Sequence, residues 1–170
     1  VVSAPGKRFD GDEKITDLLY KSADEAKGGQ CPSFDIIERR FKQITDDLKL
    51  DIDIGGYLNK IRGDILSGRG EQYAASRGEY LNAVITAAYL GFDFIDAADI
   101  IKFDGGGAFD DKLTEELTSK ALSKSAYAVI PGFYGTDYDG NIVTFSRGGS
   151  DVTGSIIANA ANAKLYENWT

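Results

Sequence analysis

Apolar residues recur at helical spacing through the first half of the chain. Val1-Val2 reads as the end of a strand, and Ser3 to Asp12, with Pro5, Gly6 and Gly11, as a loop. Ile15, Leu18 and Leu19 then share one face and predict a helix from about Glu13 to Lys27, ended by Gly28-Gly29. Cys31-Pro32-Ser33 resembles a helix start, with Ser33 as N-cap for a second helix from Phe34 to Leu48 whose stripe is Ile36, Ile37, Phe41, Ile44 and Leu48. A third helix is expected from Gly55 to about Leu66, and the charged faces of these helices are expected to be solvated surface. The fourth, from about Glu71 to Leu90, differs, because Tyr80 to Leu90 is apolar almost all round and so predicts burial on most sides, with Gly91 as its cap.

The second half alternates. Phe92 to Ile95 and Asp99 to Phe103 read as short strands, Leu113 to Ser123 as a helix, and Ala126 to Ile130 as the continuous apolar run of a central parallel strand. Asp139-Gly140 marks a hairpin turn between Phe133 and the run Ile142 to Phe145. A last helix is expected from Ser150 to about Ala163, and a last strand from Leu165 to Trp169. Strands alternating with helices predict an α/β domain with a largely parallel sheet between helix layers, without internal repeats or linkers.

Composition narrows the chemistry. The 170 residues are 42% hydrophobic and 27% charged, the balance of one globular domain. One cysteine and no histidine leave out internal disulfides, Cys/His zinc sites and histidine-based nucleophilic or acid–base catalysis. The formal charge of −8 argues against broad nucleic-acid or acidic-membrane binding. No run approaches the ~20 apolar residues that cross a bilayer. The chain has no Met, opens in strand-like sequence and stops in strand-like sequence, so it is expected to be a piece of a longer protein.

The strongest chemical signal is Thr144-Phe-Ser-Arg-Gly-Gly-Ser-Asp151 between a strand and the last helix. Free N–H groups and the dipole at a helix start attract anions, and the two glycines let a ligand approach the backbone closely. Arg147 could add a bidentate grip on a carboxylate or phosphate, and Asp151 could hold an amine or a metal. The plainer alternative is a helix capped by Ser150 with Arg147 on the surface. Glu79 lies in the apolar helix, so it needs a cationic or donor partner; that partner is either a substrate ammonium or an internal cation such as Arg77. Ser3 and Thr16 flank the first loop with hydroxyls that could reach a carboxylate. Gly105-Gly-Gly107, set among acidic residues without a following Lys, reads as a turn rather than a phosphate cradle.

Five blocks occur in the order seen in aspartate kinases, and together they resemble that family from end to end: Val2-Ser-Ala-Pro-Gly-Lys7 with Ile15-Thr-Asp-Leu-Leu19, Arg77-Gly-Glu79, Val129-Ile-Pro-Gly-Phe-Tyr-Gly135, Thr144 to Asp151, and Tyr166-Glu-Asn-Trp-Thr170. The resemblance implies a truncated three-layer αβα sandwich with a mainly parallel sheet, of the amino-acid-kinase or carbamate-kinase type. It implies transfer of the γ-phosphoryl of MgATP to the β-carboxylate of L-aspartate, with ATP and Mg²⁺ as cofactors, a cytoplasmic location and a homo-oligomeric parent. By motif, Arg147 would grip an aspartate carboxylate and Gly148, Gly149 and Ser150 would offer N–H groups. Glu79 and Asp151 would hold the α-ammonium, with Asp151 also ordering the catalytic site. Ser3 and Thr16 would contact the substrate from the other side, and Thr170 would touch the nucleotide.

The chain departs from the family in places. It has no Lys-Phe-Gly-Gly segment, which carries the family's lysine on the first strand, no Asp-Val-Asp-Gly segment, and no ACT regulatory domains. Residues 1–170 are therefore expected to be part of one kinase domain, and inactive in isolation. Ser146 stands where the family usually has Gly, and the loop Arg8 to Lys14 is longer than in many relatives. Another amino-acid kinase, acting on glutamate, carbamate or a nucleotide, and a non-catalytic amino-acid-binding regulatory module remain as alternatives.

Overall fold

The structure, a computed structural model, describes residues 1–146 and 148–169. Four helices open the chain: α1 (Ile15–Ala26), α2 (Ser33–Asp47), α3 (Ile54–Leu66) and α4 (Glu71–Leu90). They pack through the apolar stripes seen in the sequence, with Ile15, Leu18, Leu19, Phe34, Ile37, Phe41 and Leu58 almost completely withdrawn from water. Full burial of such side chains stabilises by about 1.5–3 kcal/mol each, so this layer carries much of the fold. α4 joins that core with Leu81 and Ile85 and turns Ala83 and Ala87 to the sheet, which is why its sequence lacks a polar face.

The sheet is small. β1 (Asp93–Phe94) and β2 (Ala128–Val129) pair in parallel, and Val2 extends the ladder by donating its N–H to Ile130 and accepting from Gly132. β3 (Tyr134–Thr136) and β4 (Ile142–Thr144) form an antiparallel hairpin, turned at Gly140 with φ +83°, and Lys102 bridges in parallel to Thr136. On the far side, α5 (Ala97–Ile100), α6 (Asp111–Leu122) and α7 (Gly149–Ala160) complete a third layer around Ile100, Ile101, Phe103, Ile130 and Tyr134. The α/β architecture expected from the alternation of elements is the one observed.

Three local expectations fail. Asp99 to Phe103 is not a strand: Asp96 accepts from the Ala98 N–H and starts the single turn of α5, after which Lys102 and Phe103 make only isolated bridges. Ala97, Ile100 and Ile101 are spaced for a helix as well as for a short strand, and the acidic cap decides. Leu165 to Trp169 is likewise irregular, with Leu165 72% and Trp169 87% exposed, because no ladder partner stands beside it among the described residues. Ser33 lies inside α2 rather than capping it; its N–H and hydroxyl donate to the Glu25 carboxylate, 2.9 and 2.7 Å away, so α1 supplies the cap. The Gly105–Gly107 segment is a turn, held by Asp104 accepting from the Gly106 and Ala108 N–H groups.

Two glycines set the spacing of the layers. A Cβ on Gly78 would lie 2.9 Å from that of Ala4 and 3.1 Å from Ile15 Cγ2, so only Gly lets the Ser3–Gly6 segment rest against α4 beside Glu79. Gly135 lies against Ile101, whose Cγ2 and Cβ would be 2.6 and 2.7 Å from an added Cβ. Gly135→Ala is expected to cost about 3 kcal/mol in urea unfolding, since the obstacle includes the backbone carbonyl of the buried Ile101, which cannot swing aside as a side chain could.

Candidate functional site

The start of α7 is built by close packing. Gly148 holds the N-cap position in left-handed geometry, φ +56°, and Gly149 sits so near Phe133 that an added Cβ would be 2.6 Å from its ring and 2.9 Å from its Cα. Phe133 itself has φ +82°, a conformation that costs a non-glycine residue roughly 1–3 kcal/mol. It is fixed by two hydrogen bonds: its carbonyl accepts from Phe145, and its N–H donates to Thr153 Oγ1 at 3.1 Å. The same buried hydroxyl donates to the Gly149 carbonyl at 2.8 Å, tying the strand end to the helix start. The helix begins at Gly149, so Ser150 lies inside its first turn rather than at the cap, and no described side chain caps it.

That helix start faces a cleft of about 440 Å³. One wall is Gly148 to Asp151, the opposite wall Ser3 to Lys7; Lys14 and Thr16 come from the start of α1, and Glu79 from α4. Ser3, Thr16, Glu79, Gly148, Gly149, Ser150 and Asp151, dispersed over 149 positions of sequence, are thus brought together around one space. Arg147 and Thr170 lie outside the described residues.

Glu79 is 6% exposed, and its Oε2 has no hydrogen-bond partner among the described residues. Burial pushes its pKa up to about 7, against a smaller opposing pull from the Glu79 and Ala4 backbone N–H groups and the Arg77 charge. The internal ion pair that would have explained a buried acid is not made with Arg77. That guanidinium donates to Ser76 Oγ and lies over the rings of Tyr73, Tyr80 and Tyr134, at 4.7, 4.7 and 4.9 Å. A cation held by aromatic faces leaves the carboxylate free to take a cationic ligand. Asp151 is exposed in the first turn of α7 and accepts from Asn168 Nδ2 at 3.1 Å.

Sequence reasoning missed several lining residues. Lys7, Lys14, Phe133 and Ser146 border the cleft, the lysines bringing positive charge into an otherwise acidic chain. Their signal was position, since Lys7 and Lys14 stand at the two ends of the loop already flanked by Ser3 and Thr16. A second cleft of about 660 Å³ shares Ser3 to Gly6, Ser150 and Asp151 with the first and runs along α7 toward Asn168 and Trp169.

The sequence pattern of the amino acid kinase family matches residues 1–170, and the chain belongs to that family. Aspartokinase 3 of Bacillus subtilis (strain 168) is 34% identical over 189 aligned positions, covering all of this chain and 41% of the relative. An aspartokinase of Thermus thermophilus is 49% identical over a stretch of 51 residues, 30% of this chain and 13% of the relative. Among solved structures, aspartate kinase of Clostridium acetobutylicum, described as an allosteric enzyme, superposes with a TM-score of 0.95 at 52% identity, over 99% of this chain and 39% of that one. E. coli aspartokinase III in complex with lysine and aspartate shares the fold at a TM-score of 0.75 and 20% identity, over all of this chain and 42% of that one. The chain therefore spans about two fifths of the length of these full relatives.

Proposed function

We propose that this chain is the acceptor-binding part of an aspartate kinase, which forms 4-phospho-L-aspartate from L-aspartate. The observation that carries the reading is the buried Glu79 carboxylate, whose Oε2 has no partner among the described residues, lining one cleft with the open N-terminus of α7. An amino acid with a second carboxylate satisfies both ends: its ammonium meets Glu79 and Asp151, and a carboxylate meets the N–H groups of Gly148, Gly149 and Ser150 with Arg147. Ser3 and Thr16 contact the substrate from the loop side. The charge placement is what phosphoryl transfer to a carboxylate needs, because such a reaction is governed by positioning and electrostatics rather than by a protein nucleophile.

The reading implies MgATP as the phosphoryl donor. The described residues do not make a triphosphate site: the adjoining cleft has no Lys or Arg among its described lining residues, and Thr170, the nucleotide contact implied by the family, lies outside them. The residues described here bind and orient the acceptor. A homo-oligomeric state and a cytoplasmic location belong to the same reading; no described helix is long and apolar enough to cross a membrane.

Acyl phosphate formation by the full protein, assayed with aspartate against glutamate, tests the acceptor. Arg147→Ala is expected to lower kcat/KM for aspartate about 100-fold, the loss of a charge-assisted bidentate grip worth about 3 kcal/mol. Normal activity in that variant would overturn the site assignment, and preference for glutamate would overturn the substrate.

A further inference from the structure

We infer that Arg40, which lies outside the cleft, is the positioning residue that fixes its loop wall. Arg40 projects from α2 and is 3% exposed. Its guanidinium reaches both ends of the loop between Ser3 and α1: Nη2 donates to the Gly6 carbonyl, Nη1 donates to the Glu13 carbonyl at 3.1 Å, and Nη2 lies 3.3 Å from Asp12 Oδ2. The residues adjoining these anchor points, Lys7 on one side and Lys14 and Thr16 on the other, line the cleft. Arg40 therefore sets the distance between the two halves of the wall without touching the space they enclose.

The loop is closed on itself around the same point. Asp12, itself buried, accepts from the Arg8 N–H at 3.0 Å and from Arg8 Nε and Nη2 at 3.0 and 3.2 Å, so one carboxylate joins Arg8 to Arg40. These bonds hold the Asp12 carboxyl well below the usual carboxylate range. Residues 7–11 are exposed, and the one other hydrogen bond that ties them to α2 among the described residues is Arg8 to Gln43 at 3.5 Å. A segment so weakly attached elsewhere would have to be ordered by the substrate if the clamp were lost, and that cost appears in substrate binding. Lysine cannot replace the clamp fully: it keeps the charge opposite Asp12 but lacks the planar fork that spans three acceptors.

The inference rests on the aspartate kinase reading for its kinetic arm only. In the full protein, Arg40→Lys is expected to raise KM for aspartate about 3-fold and Arg40→Gln about 10-fold, with kcat and the KM for ATP within about 2-fold of the parent. Hydrogen exchange of the amides of residues 7–13 is expected to quicken in both variants without aspartate and to return toward the parent rate at saturating aspartate. A general structural defect would not be reversed in that way. If Arg40→Gln fails to fold, Arg40→Lys carries both measurements. Unchanged loop exchange in Arg40→Lys, or an unchanged aspartate KM with an active parent, overturns the inference. A parent inactive on aspartate overturns the functional reading instead and leaves the exchange measurement to decide the role of Arg40.

Discussion

Replacing Glu79 with Gln is expected to weaken aspartate turnover about 100-fold while making the fold more stable at pH 8. The two effects have one cause. A carboxylate that is 6% exposed, with one oxygen unpartnered among the described residues, is costly to ionise, and burial raises its pKa from 4.5 to about 7 in the folded, ligand-free protein. The folded state therefore holds its proton more tightly than the unfolded chain does. Stability is greatest below pH 4.5 on this account, falls as the pH rises toward 7, and is level above it. A shift of this size corresponds to roughly 3 kcal/mol lost at pH 8. Glutamine keeps the shape without the charge, so Glu79→Gln should gain about 2–3 kcal/mol at pH 8 and little near pH 5. Its amide cannot supply the negative charge an ammonium requires, hence the kinetic loss. Urea unfolding at the two pH values with parallel kinetics checks both halves, and a variant less stable than the parent at pH 8 would contradict the account. In the parent, KM for aspartate should fall between pH 6 and 8 as Glu79 ionises.

Gly149→Ala is expected to be nearly as damaging, through geometry rather than charge. The added methyl would meet Phe133 Cδ2 at 2.6 Å, Phe133 Cα at 2.9 Å and Phe145 Cβ at 3.2 Å. The ring could rotate, but the Cα belongs to a backbone already at φ +82° and bonded to Thr153 and Phe145. The helix start must move instead, carrying the cleft-facing N–H groups with it. A loss of about 2–3 kcal/mol in stability and about 30-fold in kcat/KM for aspartate follows from overpacking and from displacing donors. Wild-type kinetics in this variant would mean that the α7 start does not bind substrate.

The helices were legible wherever periodicity met punctuation. α4 was bounded correctly because Gly70 and Gly91 flank it and Gly91 adopts the left-handed cap its sequence suggests. Elements that depend on a distant partner are not legible: Leu165 to Trp169 reads as a strand from its apolar and aromatic residues but has no ladder partner among the described residues, and Ser33 resembles a cap although Glu25, eight residues earlier, satisfies that helix start. The mouth of α7 stood out through its glycines, and Glu79 through the apolar residues around it. The aromatic cage of Arg77 was readable in part, since Tyr73 and Tyr80 stand at i−4 and i+3 on the same helix, but Tyr134 comes from another element. The role of Arg40 depends on contacts across 27 and 34 positions, which no local pattern encodes.

The hydroxyl of Thr153 has a mechanical consequence. By accepting from Phe133 and donating to Gly149, it welds the sheet terminus and the helix mouth into a single block. The cleft is therefore a vice with one fixed jaw. Accommodation to substrates of differing length falls to the opposite side, where a tether rather than a weld sets the gap.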